Sequence, residues 1–154
     1  MTFNEPPHVD NTPIKLSNSD GSSALELNLT TPANSPGPQN LDAMVVLTAK
    51  SAGYTGHSDA WVYAAALSRF CQDLMALEKS LRGEARLESL SPGELSLRIF
   101  AANSRGLLAA TGAISFRTIG ESQSFNHALE FGFEFEPMQL TNAIRLPWVA
   151  LHRA

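Results

Sequence analysis

Glu130, Glu134 and Glu136 fall in the run His127-Ala128-Leu129-Glu130-Phe131-Gly132-Phe133-Glu134-Phe135-Glu136, which contains no Lys or Arg. Polar and apolar residues alternate along it. A period of two predicts a strand with the acids on one face and Leu129, Phe131, Phe133 and Phe135 on the other. Like charges so spaced repel only modestly, so a solvent-facing strand tolerates them without further purpose. The alternative use is an acidic patch that meets a basic protein partner.

Other residues capable of chemistry are more isolated. His57 and Asp59 are two apart, and His127 lies near Glu130. Neither pair has the third and fourth ligands a zinc site requires, so no metal site is expected. Asp59 reads instead as a helix cap and His57 as a loop residue. Cys71, the only cysteine, sits beside Phe70 and Leu74, where a thiol behaves as a small apolar side chain. The helix start that could stabilise a thiolate lies about three turns away. No serine occupies a G-x-S-x-G elbow, and no G-x-G-x-x-G or phosphate-loop pattern occurs. No catalytic residue and no cofactor are expected. Arg86 and Arg98 interleave with Glu84, Glu88 and Glu94 as an ordinary solvated face of mixed sign.

Composition narrows the class further. Of the 154 residues, 17% are charged and 44% hydrophobic, with a net charge of −4. The charged share is below the usual value of about 25%, and without clustered Lys and Arg a nucleic-acid binder is disfavoured. No apolar run approaches the roughly 18 residues of a membrane helix. The first residues lack the basic-then-apolar pattern of an export signal, and one cysteine suits a reducing compartment. A cytoplasmic location is expected, with the oligomeric state left open.

The elements that position these residues read as one α+β domain over 13–154 behind a flexible arm at 1–12. Ile14–Leu16 and the alternating Ala24–Leu29 suit a hairpin around Ser17-Asn18-Ser19-Asp20-Gly21. Prolines 32, 36 and 38 mark 31–40 as a surface loop. Ala43–Ala49 is a third, more continuously apolar strand. Tyr63, Leu67, Phe70, Leu74, Leu77 and Leu81 recur at spacings of three and four, predicting one long amphipathic helix over about 58–81 that stops at Gly83. From Glu84 onward the period is two, giving an antiparallel meander of four strands. Two or three N-terminal strands and the meander would pack against the helix. Pro137 opens a short helix to Ile144, and Pro147 limits its continuation. Trp148 and Leu151 are candidates to pack back on the core.

One longer pattern joins several of these segments. Trp61, Leu67-Ser68-Arg69-Phe70, Leu77-Glu78, Gly83-Glu84-Ala85-Arg86-Leu87-Glu88-Ser89, Ser91-Pro92-Gly93-Glu94-Leu95-Ser96-Leu97, and His127 to Pro137 with Leu140 resemble the small bacterial immunity proteins of the WapI type. The resemblance covers about residues 45–140. It departs from the family at the end, where Pro147 shortens the expected C-terminal helix. It implies a non-catalytic cytoplasmic inhibitor that binds the toxin domain of a contact-dependent or polymorphic toxin, with RNases among the toxins it would suit. A basic toxin domain would meet Glu130, Glu134 and Glu136. Trp61 and Tyr54, near the loop entering the helix, are candidate anchors of such an interface; core packing is their other reading. Two rival classes stay open: a small ligand-binding or hydrolase-like domain, and a structural or oligomeric accessory protein.

Overall fold

The computed structural model describes residues 12–30 and 42–153. Two four-stranded antiparallel meanders, one before and one after the longest helix in the chain, pack against each other, with the helix lying chiefly along the first strand of the second meander. The first sheet has the order β1 (Ile14–Ser17), β2 (Ser23–Leu29), β3 (Asp42–Ser51) and β4 (Tyr54–Tyr63). Helix α1 (Ala64–Ser80) leads to the second sheet, with the order β5 (Glu84–Glu88), β6 (Leu95–Ala101), β7 (Leu108–Ile119) and β8 (Ser124–Phe135). Two short helices close the chain, α2 (Pro137–Ile144) and α3 (Pro147–Ala150). The α+β class and the C-terminal meander are as the alternation predicts, and α2 has the expected bounds. Of the expected arm, residues 1–11 fall outside the described residues, as does the proline-rich loop at 31–40. The carbonyl of Thr12, at the arm's end, accepts a hydrogen bond of 2.7 Å from the Trp148 indole.

The largest departure from expectation is at 54–63. The helix does not start at Ser58: those residues form β4, a fourth N-terminal strand paired with β3 along its whole length, from Ser51↔Tyr54 to Asp42↔Tyr63. Neither Ser58 nor Asp59 is therefore a helix cap; Tyr63 occupies that position, in extended backbone. The inward residues of β4 are Gly56, Ser58, Ala60 and Val62, so its alternation is between small and polar residues and carries little hydropathy signal. Their smallness has a packing cause. A Cβ on Gly56 would lie 2.8 Å from Leu129 Cδ2 and 2.9 Å from Ile114 Cδ1, because the second sheet crosses β4 at close range. The helix also stops earlier than Gly83. Leu81, at φ 55°, takes the left-handed position and donates its N–H to the Leu77 carbonyl at 2.7 Å.

The core is continuous across both sheets. Ile14, Leu25, Leu27, Leu47 and Val62 from the first meet Leu87, Leu97, Ile99, Phe131 and Phe135 from the second, with Leu67, Phe70, Leu74 and Leu77 of α1. Tyr63 and Leu81, the ends of the predicted helical stripe, are exposed. Trp148 is fully buried; Leu151 is exposed and does not join it. The inward face of β3, Ala43, Val45, Leu47 and Ala49, is buried, while Met44 and Val46 on its other face are half-covered.

Candidate protein-binding surface

β8 is an edge strand, and its even-numbered residues decide what that edge offers. The Gly120 N–H bonds the Gln123 carbonyl at 2.8 Å, closing a tight turn. That pairing fixes the phase of the β7–β8 ladder. Phe125, His127, Leu129, Phe131, Phe133 and Phe135 exchange hydrogen bonds with β7, and the backbone groups of Ala128, Glu130, Gly132 and Glu134 point away from it. Inward, Phe131, Phe133 and Phe135 are buried and Leu129 half-buried; outward, Glu130 and Glu134 are exposed. The predicted division of this strand is the one observed. Glu136 follows as the exposed residue preceding α2.

The residues directly opposite give these acids no counter-charge, and Arg117, the outward guanidinium of β7, stands opposite Asn126, four positions along the strand from Glu130. Across the ladder Glu130 faces Ala113, Gly132 faces Thr111 and Glu134 faces Ala109. The other outward guanidinium towards this part of the sheet, Arg98, stands on β6 opposite Thr111, two strands away. It is drawn to the far side: its Nε bonds Glu84 Oε2, and its guanidinium lies 3.9 Å from the centre of the Phe100 ring. Arg86 Nε holds the other oxygen of Glu84 at 3.1 Å. The hydrogen bond from Arg98 and then the charge of Arg86 hold the Glu84 carboxyl below its ordinary value of 4.5. Among the described residues, Glu130, Glu134 and Glu136 make no ion pair. Spaced about 13 Å apart along the strand at roughly 3.3 Å per residue, Glu130 and Glu134 repel each other weakly across water.

Two of the three acids also share a groove. A cavity of about 430 Å³ lies between the end of β8 and the β1–β2 turn, lined by Glu134, Glu136, Ser17, Asn18, Ser19 and Gln139 among others; Glu130 lies outside it. The walls are fixed by hydrogen bonds. Gln139 on α2 accepts the Ser17 N–H at 2.7 Å and donates to the Ser17 carbonyl at 2.9 Å. Asn18 Oδ1 accepts the Ser23 N–H at 3.1 Å, and Asp20 accepts the Ser22 N–H at 2.9 Å. Hydrogen bonds from Ser22 lower the Asp20 carboxyl from its ordinary 3.8. Carboxylates, hydroxyls and carbonyls make this a place for a cationic side chain. The turn motif is evident in the sequence, but its placement beside Glu134 and Glu136 is a tertiary fact.

Trp61 and Tyr54 do not join the acids. Both are on β4 in the first sheet, on opposite faces of it, and are 47% and 72% exposed. Neither is a core residue, which leaves both accessible but does not unite them with each other or with β8. Their strand carries a further arrangement that the sequence only hinted at. His57 Nε2 lies 2.9 Å from Asp59 Oδ1, and His57 Nδ1 lies 3.3 Å from Thr48 Oγ1 on β3. A carboxylate, an imidazole and a hydroxyl in series are the ingredients of an activated nucleophile. Here they stand on the outward face of the first sheet, with His57 and Asp59 about three-fifths exposed, and water competes for each link.

Cys71 is fully buried, and burial pushes its thiol up to about 12. Among the described residues no three His, Cys, Asp or Glu side chains are grouped to hold a metal ion. No helix among them is long and apolar enough to cross a membrane. No family model, curated protein or solved structure matches the chain.

Proposed function

We propose that this chain is a non-catalytic immunity protein of the WapI type, acting in the cytoplasm, whose acidic β8 edge binds the basic toxin domain of a contact-dependent or polymorphic toxin. The observation that carries the reading is the set of carboxylates on β8 and at its end that make no ion pair among the described residues, two of them lining a groove fit for a cationic side chain. A nuclease toxin gathers cations because it must hold phosphates. A carboxylate surface meets that field in place of RNA, accelerating encounter and selecting the partner. The resemblance over residues 45–140 supports the same assignment.

The test takes a candidate basic toxin domain, sought among the products of the adjacent genes, and follows association by surface-immobilised kinetics across a salt series. The pair Glu130→Lys plus Glu134→Lys is expected to slow association by about tenfold or more at low salt and to flatten its salt dependence, with the melting temperature retained. Unaltered kinetics in the folded double variant would discard the acidic-edge mechanism. A wild-type protein that neither binds nor protects against such a domain, or neighbouring genes that encode none, would discard the immunity assignment itself.

A further inference from the structure

The free edge of β4 points to a second docking surface, and we propose that it captures an extended segment of another protein by adding it as a fifth strand to the first sheet. The proposal does not depend on the acidic edge of β8 or on the immunity reading.

Three observations lead to it. The first is the phase of the β3–β4 ladder. Gly56, Ser58, Ala60 and Val62 face their partners Ala49, Leu47, Val45 and Ala43 as hydrogen-bonded pairs, so Thr55, His57, Asp59 and Trp61 turn their N–H and C=O groups outward. The Trp61 carbonyl confirms this phase by accepting the Leu90 N–H at 2.8 Å. Thr55, His57 and Asp59 have no backbone partner on that side among the described residues. An edge in this state is a template for main-chain pairing.

The second observation is the groove beside that edge. A cavity of about 130 Å³ is lined by Gly56 and His57 of β4 and by Ile114, Phe116, His127 and Leu129 of the β7–β8 hairpin. Of its apolar walls Ile114 is buried and Leu129 half-buried, while Phe116 is 53% exposed and stacks on the His127 ring at 5.0 Å. Gly56 contributes no side chain to obstruct it. In an antiparallel strand laid against β4, the residue opposite Gly56 points inward, into this space. The groove holds no carboxylate or guanidinium, so it suits one large uncharged apolar side chain.

The third observation is charge. Asp59 is three residues from Gly56 and faces outward on the exposed side of the sheet. The added residue opposite it also faces outward, within cross-strand reach of its carboxylate. The occupant is thus an extended segment reading Lys/Arg-x-x-large apolar from N- to C-terminus. A second copy of this chain is a poorer fit. Pairing β4 with itself about His57 would offer only Ser58 to the groove and set two imidazoles face to face.

Panning a displayed random dodecapeptide library against the wild-type protein, with counter-selection on Thr55→Pro, tests the proposal. Proline at 55 removes an N–H that β3 does not use, at an edge position that tolerates it. Enriched peptides are expected to carry a cation three residues before a large apolar residue. They should bind the Thr55→Pro and Phe116→Asp proteins at least about tenfold more weakly than wild type. Backbone N-methylation of the peptide at the groups that face β4 should cost as much against the unmodified protein, a readout independent of whether any variant folds. Failure to enrich peptides, equal binding to Thr55→Pro, or indifference to N-methylation would overturn the proposal. So would a concentration-dependent dimer, seen by sedimentation, that Thr55→Pro dissolves, since the occupant would then be a second copy.

Discussion

On β5, Glu84 is gripped by Arg86 and Arg98; on β8, at the opposite edge of the same sheet, Glu130 and Glu134 face only alanines. The residue type and the outward orientation are shared, and the neighbours differ. Small side chains on β7 (Ala109, Thr111 and Ala113) separate the two edges, while Phe100 and Glu84 hold Arg98 away from β8. One edge is electrostatically satisfied within the fold, and the other leaves its field to the solvent or to a partner. Counting acids on strands does not distinguish the two, and the cross-strand register does.

The comparison can be broken or sharpened in four ways. The largest effect is expected from the root that both edges share: Phe135→Ala, which empties a fully buried site, should lower unfolding free energy by roughly 3–5 kcal/mol in urea titration. Glu130→Lys with Glu134→Lys should instead shift stability by no more than about 0.5 kcal/mol per site, while slowing toxin association as stated above. A large loss of stability there would mean that these acids serve the fold. Next, Cys71 should resist alkylation at pH 8 in the folded protein and react once urea unfolds it, because burial holds its thiol at about 12. Rapid labelling without denaturant would show that the core opens locally.

The smallest effect concerns Glu84 and has a definite sign. Its folded carboxyl titrates below the ordinary 4.5, so its contribution to stability is present above that value and is lost as pH falls through the lowered one. Glu84→Gln should therefore cost a little at pH 7 and nothing at pH 2, compared by urea midpoints. Glu130→Gln, which removes a carboxylate with no ion pair among the described residues, should cost less at pH 7 than Glu84→Gln. An equal loss at pH 7 would erase the distinction between the edges.

Legibility in the sequence followed the size of the inward side chains. β8, whose inward residues are leucine and phenylalanine, was readable with its faces and its acids correctly assigned. β2 and β6 were readable on the same ground. β4 was not, because Gly56, Ser58 and Ala60 are inward-facing yet scarcely apolar, and the strong periodicity of Leu67 to Leu77 drew the predicted helix backward over them. The site divides in the same way. Glu130 and Glu134 were legible as a face, but nothing in the local sequence brings Ser17 and Gln139 to Glu134, or Phe116 to Gly56.

The sequence by itself determined the α+β class, the C-terminal meander, the apolar face of α1 and the acidic outward face of β8, since each depends on residues a few positions apart. Only the tertiary structure decided that 54–63 is a strand, that Arg98 serves Glu84 and not β8, and that β4 has a free edge beside an apolar groove. These depend on how closely two sheets approach and on which register each pair of strands adopts. Such contacts join residues far apart in the chain, where local spacing carries no record of them.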